Sequence, residues 1–279
     1  MTLIERARTG LAVPEAEQVA RAEGISIEAV LGGLLDGTIV IPANPLHRTL
    51  VPYGVGKGLR TKVNANIGTS SDSCDVEGEL RKLRIAVDCG ADAVMDLSTG
   101  GDISAIRRRL IAASPVMFGT VPIYQAGIDA IERRGAIVDM TADDMFAAVE
   151  SHALDGVDFM TIHCGVTQAS IERLRRQGRL TNVVSRGGAF LTGWILHNER
   201  ENPFYEQFDR LLDLAAQHRL ARVFRSVRYA AMQTLTRQGD TDGSLWLIVD
   251  GQVALEQTAP DGSSRTTRVL DYGEAIGYH

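Results

Sequence analysis

Cysteine is scarce in this chain. The 279 residues hold three, Cys74, Cys89 and Cys164, with no CxxC pair and no disulfide framework. Their spacing argues against a stapled secreted scaffold and makes a reducing cytoplasm the expected location. Long apolar runs are missing too, since none reaches the roughly 18 residues of a membrane span. Met1-Thr2-Leu3-Ile4-Glu5-Arg6 has no signal-peptide core. There is no excess of positive charge either. Lys and Arg number 29 against 35 Asp and Glu, so the net charge is -6. That balance argues against nucleic acid or an anionic membrane as the main partner.

What is present is ordinary for a soluble globular protein, with 44% hydrophobic and 23% charged residues. The length suits one barrel or two smaller domains. Residues 3–36 read as helical. Pro14 with Glu15 and Glu17 marks one helix start, and Ser26-Ile27-Glu28 opens another that ends near Gly37. Ile39-Val40-Ile41-Pro42 is a short extended piece. Residues 43–60 read as an irregular loop. Gly54, Gly56 and Gly58 lie in it but match neither the P-loop nor the dinucleotide fingerprint.

From residue 61 strands and helices alternate. Strands are predicted around Lys62–Ile67, Ala93–Ser98, Val116–Val121, Phe159–Cys164 and Asn182–Ser185. Helices are predicted between and after them, one carrying Glu77, Leu80, Leu83 and Ala86 and others at about 103–113, 125–134, 142–155, 167–177, 189–198 and 203–217. That order implies parallel βα units, five of them, or five-eighths of a (β/α)8 barrel. In such a barrel the C-terminal strand ends converge on one mouth, and polar or soft residues stand at or just after these ends: Asn66, Met95 with Asp96, Tyr124, His163 and Ser185. Asn64 and Asn66 share a strand face, either capping nearby backbone or facing a ligand. Ser185-Arg186-Gly187-Gly188 is either a helix-capping turn or a phosphate site built from a hydroxyl, a cation and two backbone amides.

The runs KVNANIGTS, AVMDLSTGGDI, GTVPIYQA, DFMTIHCGVT, VSRGGAF and ENPFYEQFDRLL resemble phosphomethylpyrimidine synthase of thiamine biosynthesis, over about residues 4–218. A close relative in that family makes 5-hydroxybenzimidazole from the same substrate. The resemblance implies a radical S-adenosylmethionine enzyme on a (β/α)8 barrel. Its substrate is 5-aminoimidazole ribonucleotide, and its product is 4-amino-5-hydroxymethyl-2-methylpyrimidine phosphate. It also implies a [4Fe–4S] cluster, S-adenosylmethionine and a divalent metal as cofactors. The substrate contacts it implies are Asn66, Met95, Tyr124, His163, Ser185, Arg186 and Gly187.

The resemblance breaks off after the helix at 203–217. The family's Gly-Asp-Gly-Leu-Arg-Pro-Gly strand end, its later βα units, its two metal-binding histidines and its CxxCxxxxC cluster motif do not follow. The ligands of the cluster and the metal are therefore not found, and the chain as written is not expected to turn over by the family's mechanism. Residues 235–277 instead resemble the opening of a cyclic-nucleotide-binding β-roll, through Arg237-Gln238-Gly239-Asp240, LWLIVDGQVAL and Leu270–Gly277. Hairpins are predicted at Asp250-Gly251 and Pro260-Asp261-Gly262. The likeness stops before that family's phosphate cassette, so nucleotide binding there is not expected. The expected architecture is thus α/β: N-terminal helices and a loop over 1–60, an incomplete (β/α) barrel over 61–219, and an antiparallel β-roll-like segment over 220–279. Open edges on the barrel sheet predict a homo-oligomer.

Overall fold

The computed structural model describes residues 1–181, 183–218, 246–247, 253–258, 264–270 and 275–276. The chain divides into two compact units, Met1–Arg225 and Ser226–His279.

Three helices open the first unit: α1 (Leu3–Arg8), α2 (Pro14–Glu23) and α3 (Ile27–Asp36). Each start has a local cause. Thr2 and Glu5 form a capping box, Pro14 occupies the first turn of α2, and Ser26 Oγ accepts from Ala29 N. Together they bury Val13, Ala16, Val19, Val30 and Leu34. The ribbon that follows pairs β1 (Ile39–Val40) with β2 (Val55–Gly56), antiparallel. The expected loop over 43–60 therefore contains a strand. Its glycines lead into no helix, so they do not build a phosphate loop.

The central sheet holds β3 (Asn64–Ile67), β4 (Ala93–Asp96), β5 (Met117–Thr120) and β6 (Phe159–Met160), parallel and in that order. Helices α4 (Val76–Asp88), α5 (Ile103–Ala113), α6 (Pro122–Arg134) and α7 (Ala142–Leu154) connect them. After β6 come α8 (Gln168–Gln177), α9 (Arg186–Asn198), α10 (Pro203–Glu206) and α11 (Phe208–Gln217). The register sorts the strand residues onto two faces. Ile67, Val94 and Phe118 meet Leu80 and Leu83 of α4 and Ile106 and Leu110 of α5 in one buried cluster. Each such side chain contributes about 1.5–3 kcal/mol of burial. The other face carries the rows Asn64–Ala93–Met117 and Asn66–Met95–Gly119. A second cluster gathers Ile123, Phe146, Leu191, Trp194 and Phe204 from α6, α7, α9 and α10.

Two expectations need correction. The fifth strand is not in the sheet. Val183 to Ser185 carry no strand pairing, Val184 is 81% exposed, and Asn182 lies outside the described residues. Ser185 is taken up instead as the N-cap of α9. Neighbouring β6 is cut short at Met160 for a related reason. The Asn202 amide captures the carbonyls of His163 and Val166, at 2.8 and 2.9 Å, and turns the chain out of the ladder. The second correction concerns α6, expected from about 125, which starts at Pro122. Pro122, with its fixed φ, starts α6 directly after β5, and Tyr124 falls in the first helical turn.

In the second unit β8 (Val253–Thr258) pairs antiparallel with β9 (Ser264–Leu270), with a bulge between Leu255 and Glu256. Trp246 and Leu247 of β7 (Trp246–Leu247) pair with β10 (Ala275–Ile276), also antiparallel. Arg237–Asp240 and the turns at Asp250-Gly251 and Pro260-Asp261-Gly262 lie outside the described residues. No helix among the described residues is long and apolar enough to cross a membrane.

Candidate functional site

Five of the seven residues singled out in the sequence collect around the start of α9. Ser185 caps that helix, its Oγ accepting from Gly188 N at 3.3 Å. The same oxygen is 2.9 Å from His163 Nε2. With the Ser185 hydroxyl donating, the imidazole proton sits on Nδ1, a buried atom with no partner. Burial lowers the His163 pKa, so the ring is neutral at pH 7. Gly187 lets this packing exist, because a Cβ there would overlap the His163 ring. Arg186 is exposed, and its guanidinium lies 5.2 Å from the Tyr124 ring centroid. Tyr124 in turn packs against Phe190, ring centroids 6.0 Å apart.

The other two stand in the sheet. Asn66 and Met95 are register partners on one face. Asn64 Nδ2 donates to Asn66 Oδ1 at 3.0 Å, so this carboxamide pair bonds to itself rather than capping backbone. Met95 packs against the cluster that contains Tyr124, which links the two groups through apolar contact. No described hydrogen bond joins Asn66 to His163.

Several residues that hold this arrangement were not picked out from the sequence. Asn202, fully buried, binds the His163 carbonyl through Nδ2, while its Oδ1 accepts from Phe204 N at 3.0 Å. An Asn followed by Pro at a helix start was the available signal. Arg107 is buried to 0% exposure behind the sheet ends. It donates to Asp155 Oδ2, to Gln125 Oε1 at 2.7 Å and to His152 Nε2 at 2.9 Å. Burial first, and then the Arg107 charge, holds His152 well below its ordinary pKa. Burial pushes the Asp96 carboxyl upward, opposed by two Ser98 donors and by the Arg107 charge.

The N-terminal unit matches the model of the radical SAM ThiC family over residues 2–224. The chain belongs to that family. It is 56% identical over 218 residues to the phosphomethylpyrimidine synthase of Moorella thermoacetica, covering 78% of this chain and 50% of the relative. Identity to the phosphomethylpyrimidine synthase of Desulforudis audaxviator is 60% over 212 residues, covering 76% and 49%. The 5-hydroxybenzimidazole synthase BzaB of Moorella thermoacetica is 56% identical over 218 residues, covering 78% and 51%. The chain thus spans about half the length of these relatives. Residues 226–278 match the cyclic nucleotide-binding domain model.

Membership in a radical SAM family implies a [4Fe–4S] cluster and S-adenosylmethionine. The cysteines do not fit a cluster. Cys74 and Cys89 flank the 13-residue α4 at opposite ends, about 20 Å apart at 1.5 Å per residue. Burial pushes the Cys164 thiol up to about 11, the reverse of what a ligand thiolate needs. Among the described residues no three His, Cys, Asp or Glu side chains come together to hold a metal ion.

Proposed function

We propose that residues 1–218 are the substrate-binding part of a phosphomethylpyrimidine synthase, built on the first units of a (β/α)8 barrel. The ligand is 5-aminoimidazole ribonucleotide, and the process is formation of the thiamine pyrimidine. The observation that carries this reading is the His163–Ser185–Gly187 cluster with its unpartnered buried Nδ1, in a chain 56–60% identical to such synthases.

Ser185, Arg186 and Gly187 take the phosphate. The first turn of α9 offers backbone N–H groups and the positive end of the helix dipole, and Arg186 adds a full charge. His163 donates from Nδ1 to the imidazole or ribose, and its neutral state keeps it a directional donor. Tyr124 and Asn66 add a hydroxyl and a carboxamide, and Met95 an apolar wall. Radical chemistry needs a cluster that Cys74, Cys89 and Cys164 do not hold, so no reaction step is assigned to these residues. The equal 56% identity to the benzimidazole synthase favours a second product on the same substrate, 5-hydroxybenzimidazole. The protein acts in a reducing cytoplasm as a homo-oligomer, without nucleic acid. Its architecture runs from helices over 1–60 through barrel units over 61–219 to a β-roll-like segment over 220–279.

Calorimetric titration with 5-aminoimidazole ribonucleotide tests the reading. Saturable binding that His163→Ala abolishes is expected. A folded chain that shows no binding overturns it.

A further inference from the structure

The loops after β3 and β4 are zipped together behind Asn66 and Met95, and one buried carboxylate anchors the zip. Asp96 ends β4 in register with Ile67 and Thr120, on the face opposite Met95, and is 5% exposed. Its Oδ1 accepts from Ser98 N at 3.0 Å and from Ser98 Oγ at 2.5 Å. With its own proton directed at Asp96, Ser98 Oγ is fixed as an acceptor, and Thr69 N donates to it at 3.0 Å. Thr69 Oγ1 donates to Gly100 O at 2.7 Å, and Thr99 N donates to Thr69 O at 2.9 Å. Gly68 permits the close approach. Its φ is 149°, and a Cβ there would lie 2.7 Å from Leu97 C and Ser98 N.

The zip has a direction set by chemistry. A serine hydroxyl has one proton to give. Without the Asp96 carboxylate that proton is free to rotate, and Ser98 no longer presents a fixed lone pair to Thr69 N. The neighbouring bonds between Thr69, Thr99 and Gly100 then lose their anchor. Asn66 stands two residues before Gly68, and Met95 directly precedes Asp96, so both ride on the zipped segments.

We propose that Asp96 is a positioning residue. Acting through Ser98, its carboxylate fixes the 68–75 and 97–101 loops, and with them the placement of Asn66 and Met95 at the ligand. The ligand half of this inference rests on the function proposed above, whereas the loop half stands on the hydrogen bonds alone.

The test uses the full chain with Asp96→Ala and Asp96→Asn. The asparagine keeps an Oδ1 acceptor for both Ser98 donors, and alanine removes it. Hydrogen exchange read by mass spectrometry reports the loops, and titration with 5-aminoimidazole ribonucleotide reports the site. In Asp96→Ala, peptides over 68–75 and 97–101 lose protection while those from α7 and α9 keep it. Affinity for the ribonucleotide falls about tenfold, the loss of one hydrogen-bonded anchor to a charged group. Asp96→Asn restores both readings. Unchanged exchange over 68–75 in Asp96→Ala overturns the proposal, and so does an Asp96→Asn as impaired as the alanine. Should Asp96→Ala fail to fold, Ser98→Ala takes its place, with the same two loops losing protection or the proposal falling. A wild-type chain that binds no ribonucleotide removes the proposed function, and the exchange result then decides the role of Asp96 by itself.

Discussion

His47 is the residue whose protonation the fold should register most clearly. Its side chain and that of Asp158 are both fully buried, with Nδ1 2.6 Å from Asp158 Oδ2. Its Nε2 lies 2.8 Å from Ser114 O. Both ring nitrogens therefore face acceptors, and only the imidazolium can donate to both. Burial opposes the charge, but the Asp158 hydrogen bond and charge and the Ser114 and Ile111 carbonyls outweigh it, so the pKa is raised. A raised pKa in the folded state means that the stabilisation is complete below the unfolded value near 6.5. It is lost as pH rises through the folded value. Losing the proton leaves one buried acceptor without its donor, which costs about 1–3 kcal/mol. Removing the ring altogether leaves Asp158 with only Asn44 N and Phe118 N, and His47→Ala should cost about 3–5 kcal/mol. Trp194 is buried in the first unit and reports its unfolding, provided Trp246 of the second unit is replaced by Phe. His152 and His163, held low by burial, gain stability over the same window, so urea titrations in that background at pH 6 and pH 9 should show the wild type losing stability toward pH 9 relative to His47→Ala. Equal pH dependence in the two proteins would refute the assignment, and so would a wild type that gains more stability toward pH 9 than His47→Ala does.

Three further outcomes follow from the same contacts. Gly187→Ala drives the His163 ring off Ser185, so ribonucleotide affinity should drop more than tenfold while far-ultraviolet circular dichroism stays unchanged; retained affinity would place His163 elsewhere. Arg107→Met breaks a buried pair with Asp155 and strips His152 and Gln125 of their donor, so the Trp194 urea transition should lose about 3–5 kcal/mol; a loss below about 1 kcal/mol would contradict its burial. With its thiol pushed up to about 11, Cys164 is about one part in a thousand thiolate at pH 8. Maleimide should therefore modify exposed Cys74 and Cys89 well before Cys164, and three equal rates by mass spectrometry would contradict this.

Local chemistry carried most of the element order. The apolar–polar alternation around Asn64 and Asn66, the short apolar runs at Ala93 and Met117, and Pro14 all act within a few residues, and each produces the expected strand or helix. The grouping of His163, Ser185 and Gly187 also had a sequence trace in the Ser-Arg-Gly-Gly turn. The failures came where two local signals competed or where a distant partner intervened. Val183-Val184 has strand propensity, yet the capping demand of α9 claimed Ser185, and Asn202 had already turned the preceding segment out of the ladder. Pro122 starts α6 three residues ahead of the expected 125 and so takes Tyr124 into its first turn.

The alternation of strands and helices, the family and the residue types gathered at α9 are legible along the chain, because these depend on propensity, capping and short motifs. Which polar groups support them follows from how distant segments pack. His47 meets Asp158 across 111 positions, and Asn202 reaches His163 across 39. Asp96 governs Thr69 through a serine on another loop. A buried polar group is stable only with its partner in place, and that partner is set by how the chain packs rather than by what stands beside it in sequence.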